Sequence, residues 1–258
     1  MKRSFQLCSG SVAILRYRFF HKEQRPVFGT LIARLLLVSG LMIAGGHASV
    51  MAQAEINRSI DAQGKKYYTL QTRTAVSRGL QFLAERQHTD GSFGSGSTFK
   101  SNVAVTALCG MAFLADGSTP GRGKYGIQVQ KAVDFILASC KPSGYIISPD
   151  SISHGPMYGH GFATLFLAEV YGMTHSKDVR AKLEKAVELI VKSQNAKGGW
   201  RYTPESRDAD LSVTVCQIMA LRAARNCGIF ISKDVIDRCI DYVKQSQNPD
   251  GGFRYQLV

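Results

Sequence analysis

The side chains best placed for chemistry are the carboxylates of Asp208-Ala209-Asp210-Leu211, at the mouth of an apolar helix that the pattern starts at Leu211. Asp210 and Asp208 are the candidate site residues. A carboxylate just ahead of a helix also accepts a free backbone N–H of the first turn, and capping alone accounts for the placement. His154, His160 and His175 share no helical face spacing with a carboxylate pair, so capping and loop roles are expected of them rather than acid–base work. There is no Ser/His/Asp order and no nucleophile elbow. The glycine-rich run Asp116–Gly126, which carries Pro120, follows no strand and lacks the spacing of a phosphate-binding loop. It reads as a connection. No cofactor and no metal is expected.

The element that must position Asp210 is a helix pair, Ala186 to Asn226 with its approach. Ser176 is placed to cap the first helix and Asp178 to face its positive end. Val179, Leu183, Ala186, Val187, Ile190 and Val191 form one apolar stripe, with charged residues on the other side, so this helix faces water. Gly198-Gly199 is expected to end it as a C-cap, and the ring of Trp200 to fold back over the helix end. The second helix, Leu211 to Arg225, is apolar round most of its circumference and is expected to be buried on several sides.

The unit recurs. Ser232-Lys233-Asp234-Val235 repeats Ser176-Lys177-Asp178-Val179, and Gln247, Gly251 and Phe253 repeat Gln194, Gly198 and Trp200. An earlier copy holds Gln87 and Phe93. A weaker one, a residue short, runs from Cys140 to Tyr145. The aromatic positions 93, 145, 200 and 253 give a period near 53, longer than common helical repeats. Apolar helices follow the first three, at about Asn102–Ala115, Tyr158–Tyr171 and Leu211–Arg225, with Asn102, His160 and Asp210 at equivalent starts. Val76 to Glu85 is the first outer helix. Helix pairs of this kind bury little alone and must stack. Apolar helices inside and charged ones outside close toward an all-α, α/α toroid.

Gln-x3-Gly-x-Trp/Phe at the end of each outer helix resembles the QW-type motif of the prenyltransferase and squalene cyclase repeat. The resemblance covers roughly residues 70–258 and implies fold more than activity. In the squalene-cyclase-like members an Asp-x-Asp-Asp supplies the acid that protonates an alkene or epoxide. Asp208 and Asp210 match its first and middle positions, and Leu211 departs from the third. Such an acid must be made strong in a dry cavity, and a flanking carboxylate is missing. The resemblance to protein prenyltransferases implies a zinc set of Asp, Cys and a distant His, but Ser212 stands where the thiolate is required. Complement-type toroids carry Cys-Gly-Glu-Gln. Cys109-Gly110-Met111-Ala112 departs in the last two residues, which excludes thioester chemistry. His160 is expected to point at the ring centre.

The first 54 residues differ in composition. Arg25 and Arg34 precede an apolar run from Leu35, and Ala52-Gln53-Ala54 has small-x-small form. This pattern predicts a signal peptide, residues 1–54, cleaved near Ala54 and followed by a polar lead-in, residues 55–70. The product would be exported, periplasmic or secreted. A membrane anchor is the alternative, disfavoured by Arg34 inside the run. Removing 7 of the 32 Lys and Arg and 1 of the 19 acidic residues leaves a charge of +7 rather than +13. Basic residues mix with acids on the outer helices, so no nucleic-acid partner is expected. Cys109, Cys140, Cys216, Cys227 and Cys239 are an odd set without short spacing. Cys109 and Cys216 read as core residues, and a Cys227–Cys239 bridge stays open.

Three pairs and one outer helix are fewer than toroids of this resemblance close with, so the repeats, 71–258, are expected to form an apparently truncated arc. Its open end would self-associate through apolar flanks. The expected function is an exported, non-catalytic toroid protein taking an apolar, isoprenoid-like ligand or a protein partner on its concave face. The alternative is a terpene-cyclase-like enzyme with Asp210 as proton donor, acting in a longer or assembled form.

Overall fold

The computed structural model describes residues 68–148 and 155–257. The leader, the lead-in up to residue 67 and His154 lie outside the described residues. Seven helices are found there: α1 (Leu70–Glu85), α2 (Val103–Ala115), α3 (Gly126–Ala138), α4 (Pro156–Thr174), α5 (Lys177–Lys192), α6 (Leu211–Asn226) and α7 (Lys233–Ser246). Among the described residues there is no strand, only isolated bridges, three at the corners and one, Thr119–Arg122, in the glycine-rich connection. The helical unit begins at Leu70, so α1 starts six residues before the expected Val76.

α2, α4 and α6 pack side by side as an inner row, and α3, α5 and α7 each lean on inner helices from outside. The sequence explains the split. α4 buries twelve of its nineteen residues, from Met157 to Tyr171, whereas α5 and α7 bury one stripe each and carry i,i+4 ion pairs such as Arg180–Glu184 (2.8 Å) and Lys233–Asp237 (2.5 Å) in solvent. Such exposed pairs contribute little. Burial of the inner row supplies the stability.

Each outer helix leads to the same corner. Gly91, Gly144, Gly198 and Gly251 adopt φ of 87°, 89°, 91° and 88°, a region open mainly to glycine. Each donates its N–H to the carbonyl three residues back, on His88, Lys141, Asn195 and Asn248. These four residues in turn donate to the carbonyls of Ser92, Tyr145, Gly199 and Gly252. The residues two beyond the glycines are therefore Phe93, Ile146, Trp200 and Phe253. This corrects the register of the weak copy: Ile146, wholly buried, fills the place assigned to Tyr145, and that copy is full length. The steps become 53, 54 and 53.

Trp200 is 1% exposed and donates Nε1–H to the carbonyl of Ile190 at 2.7 Å, so the indole does close over the end of α5. The glycines serve the corner rather than the C-cap. α5 ends at Lys192 with Ser193 in the right-handed region, five residues before Gly198. Ser176 occupies the N-cap of α5 but its side chain makes no capping hydrogen bond; its own N–H meets Thr174 Oγ1 at 3.4 Å.

Candidate functional site on the concave face

The corners fix the inner helices through one repeated hydrogen bond. Phe93 N–H donates to Thr106 Oγ1 (2.9 Å), Trp200 N–H to Thr214 Oγ1 (3.0 Å), and Ile146 N–H to His160 Nδ1 (3.1 Å). His160 thus takes the place of the two threonines, one turn inside the helix. It is Pro156, at the first position of α4, that matches Asn102 and Asp210. Nor does His160 point at the ring centre. It is wholly buried, with Nε2 against the Ala186 carbonyl of the outer helix α5 at 3.2 Å. Burial pushes its pKa down to about 4 against the weaker pull of that carbonyl. His175 caps the far end of α4 in the left-handed region, with its ring near Tyr171.

Asp210 and Asp208 part company. Asp210 has no exposed surface. Its Oδ1 accepts Val213 N–H (2.9 Å) and Ser212 Oγ–H (2.6 Å), which makes it the cap of α6, as Asn102 is of α2 with Ala104 and Val105. Oδ2 has no hydrogen-bond partner. Asp208 lies in solvent, paired with Arg201 at 3.2 Å.

Around Asp210 sits a hydroxyl cluster that the sequence pattern did not single out. Ser212 Oγ bonds Tyr158 Oη, and Tyr202 Oη bonds Tyr255 Oη. The rings of Tyr158 and Tyr202 lie 6.1 Å apart. Burial raises the Tyr158 phenol, with Ser212 opposing and the Asp210 charge adding to it. The bond from Tyr202 carries Tyr255 up to about 12. These phenols therefore stay protonated as donors at neutral pH. Backbone bonds hold the cluster together, from Met157 N–H to Tyr202 O (3.0 Å) and from Leu211 N–H to Tyr255 O (2.8 Å). A signal is present, since Tyr202 and Tyr255 follow their corner glycines at the same distance, but that spacing marks the repeat and does not by itself bring the hydroxyls together.

Beside Tyr158 a cavity of about 170 Å³ opens between the amino ends of α2 and α4, lined by Phe99, Asn102, Val103, Pro156 and Gly159. Down the centre of α4 only Pro156, Tyr158, Phe162 and Glu169 are partly exposed before its last turn. The last three are spaced i, i+4, i+11 and form one line on a helix. On the flanking inner helices Leu108, Val215 and Met219 are 47%, 47% and 46% exposed. The result is a mostly apolar face with hydroxyls at one end and Glu169 toward the other.

Burial raises the thiols of Cys109 and Cys216 to about 11, as suits core residues. Cys227 and Cys239 are both free thiols. Among the described residues no three His, Cys, Asp or Glu converge as a metal site would need. No helix among them is long and apolar enough to cross a membrane.

The family model of the prenyltransferase α–α toroid domain matches residues 50–184 and 128–256. The chain belongs to this family. It is similar to the drimenyl diphosphate synthase of Streptomyces showdoensis, 29% identical over 190 residues. The match takes in 70% of this chain and 32% of that protein, so the chain spans about a third of the length of the curated relative it matches.

Proposed function

We propose that the chain is an exported, non-catalytic toroid that binds an apolar, isoprenoid-type molecule along the concave face of α2, α4 and α6. The line of Tyr158 and Phe162, flanked by the exposed Leu108, Val215 and Met219, carries this reading. Large apolar side chains left in a row on otherwise buried helices signal a ligand. The Tyr158 phenol oxygen, whose proton goes to Ser212 Oγ while Ser212 donates to Asp210 Oδ1, offers an acceptor to a polar end group. The relative's name, drimenyl diphosphate synthase, agrees with a ligand of this kind. Asp210 is then structural, having no surface to offer a substrate. Export rests on the basic, apolar and small-x-small order of residues 25–54. N-terminal sequencing of the secreted or periplasmic product is expected to begin at Glu55, and an intact Met1 refutes it.

The binding test is uptake of radiolabelled squalene and of farnesyl diphosphate by the purified protein, measured by equilibrium dialysis or gel filtration. Phe162→Asp combined with Met219→Asp is expected to abolish uptake while circular dichroism stays helical. A wild-type protein that retains neither probe overturns the proposal.

One observation favours a second reading, a proton-donating Asp210. Its Oδ2 is unpartnered, and the chain Asp210–Ser212–Tyr158 joins it to the concave face. Turnover of either probe that is lost in Asp210→Asn, a change that keeps a good capping acceptor, would replace the first reading with this one.

A further inference from the structure

Each of the first three corners is covered by the outer helix that follows. Gln87 Nε2 donates to Gly91 O of its own turn (3.0 Å) and to Gln128 O of α3 (2.9 Å). Gln194 Nε2 does the same with Gly198 O (2.9 Å) and Val235 O of α7 (3.0 Å). The glycines let the backbones meet. A Cβ on Gly91, Gly144 or Gly198 would lie 2.2 Å from the carbonyl oxygen of Lys131, Lys185 or Arg238 respectively.

The fourth corner has the same parts and no cover among the described residues. Gly251 has the same φ, yet nothing lies within 4 Å of its Cβ position, and Gln247 is exposed. Phe253 is 51% exposed where Phe93, Ile146 and Trp200 are 3%, 0% and 1%. At the other end of the unit the complementary surface of α1 is also exposed among the described residues, with Arg86 of the same chain lying over the Phe82 ring at 4.0 Å. Stepping back 53 residues from Gln128, Lys131 and Phe135 gives Ala75, Arg78 and Phe82 of α1. All three are exposed, Phe82 at 52%, whereas Phe135 and Leu189 are half-buried and Tyr242 is wholly buried at the matching place.

We propose that the fourth corner of one copy docks on α1 of a second copy. Gln247 donates to the Ala75 carbonyl, Gly251 packs beneath the Arg78 carbonyl, and Phe82 is covered. The occupant follows from the register, because one molecule carries both halves of a joint already formed between its own neighbouring repeats. The contact is heterologous, so each bound copy keeps one free end and association runs past the dimer.

Sedimentation velocity on the full chain over a concentration series tests this. Phe82→Glu charges the helix half of the joint, on a side chain that is mostly in solvent. Gln247→Ala with Gly251→Asn spoils the corner half, with Asn chosen because it tolerates positive φ. Wild type is expected to grow in mass beyond a dimer, and each variant alone to remain a monomer with an unchanged helical spectrum. An equal mixture of the two variants is expected to form a one-to-one dimer and stop, because each contributes its intact half. A wild type that is monomeric throughout, a variant that still self-associates, or a mixture that stays monomeric overturns the proposal.

Discussion

Protonating His160 should destabilise the toroid unit at mildly acid pH. Ile146 N–H can only donate, so Nδ1 must accept; the Ala186 carbonyl can only accept, so Nε2 must carry the proton. A second ring proton would face an N–H inside a fully buried site. The folded pKa, about 4, lies below the ordinary 6.5. Between the two values the unfolded chain binds the extra proton. Stability is therefore complete above about pH 6.5, falls as pH drops, and levels off below about pH 4. At about 1.4 kcal/mol per pH unit, the loss is about 3 kcal/mol, a large share of the margin of an ordinary domain. Urea unfolding between about pH 7 and pH 4.5 measures it. Carboxylates also titrate there, so the control is His160→Thr, which installs the residue of the other two repeats at positions 106 and 214. The variant should be weaker at pH 7, having lost the bond to Ala186 and left a gap, but its stability should depend far less on pH. Equal pH dependence in the two proteins would refute the reasoning.

Two further changes probe the corners. Cys140 stands where the other corners have glutamine, and Cys140→Gln would supply a donor to its own turn and to α5; a gain of about 1 kcal/mol is expected, read as a raised urea midpoint with an unchanged slope. Gly198→Ala and Gly251→Ala both place a Cβ at positive φ, which costs roughly 1–2 kcal/mol, but only the first also meets a carbonyl oxygen, 2.2 Å away on Arg238. The Gly198 variant should be clearly the less stable in chemical unfolding, and equal losses would show that the close approach is not what the glycine is for.

The helix pairs, their inner and outer ranking and the corner motif were legible because each rests on local pattern: a 3.6-residue apolar stripe, or glycine before an aromatic ring. Two errors had one cause. Aligning Tyr145 with the aromatic residues, and His160 with Asn102, matched side-chain types where the fold matches backbone hydrogen bonds. Ile146 and Pro156 hold those places without resembling their counterparts. The cap formed by Asp210 follows from its position just ahead of α6. The hydroxyl cluster was out of reach of local pattern, because Tyr158 and Ser212 are brought together across 54 residues by the packing of α4 on α6.

At the joint between repeats the glutamine and the glycine of the corner both meet main-chain oxygens of the neighbour: the glutamine reaches for a carbonyl, and the glycine leaves room for one. Side chains at the positions that supply these carbonyls are not read, whereas the place of Phe135, Leu189 and Tyr242 stays apolar. Lysine, arginine, glutamine and valine are accepted alike at the carbonyl positions. The outer surface of such an arc is consequently free to drift in charge and shape, or to be rewritten by a designer, without loosening the coupling from one repeat to the next.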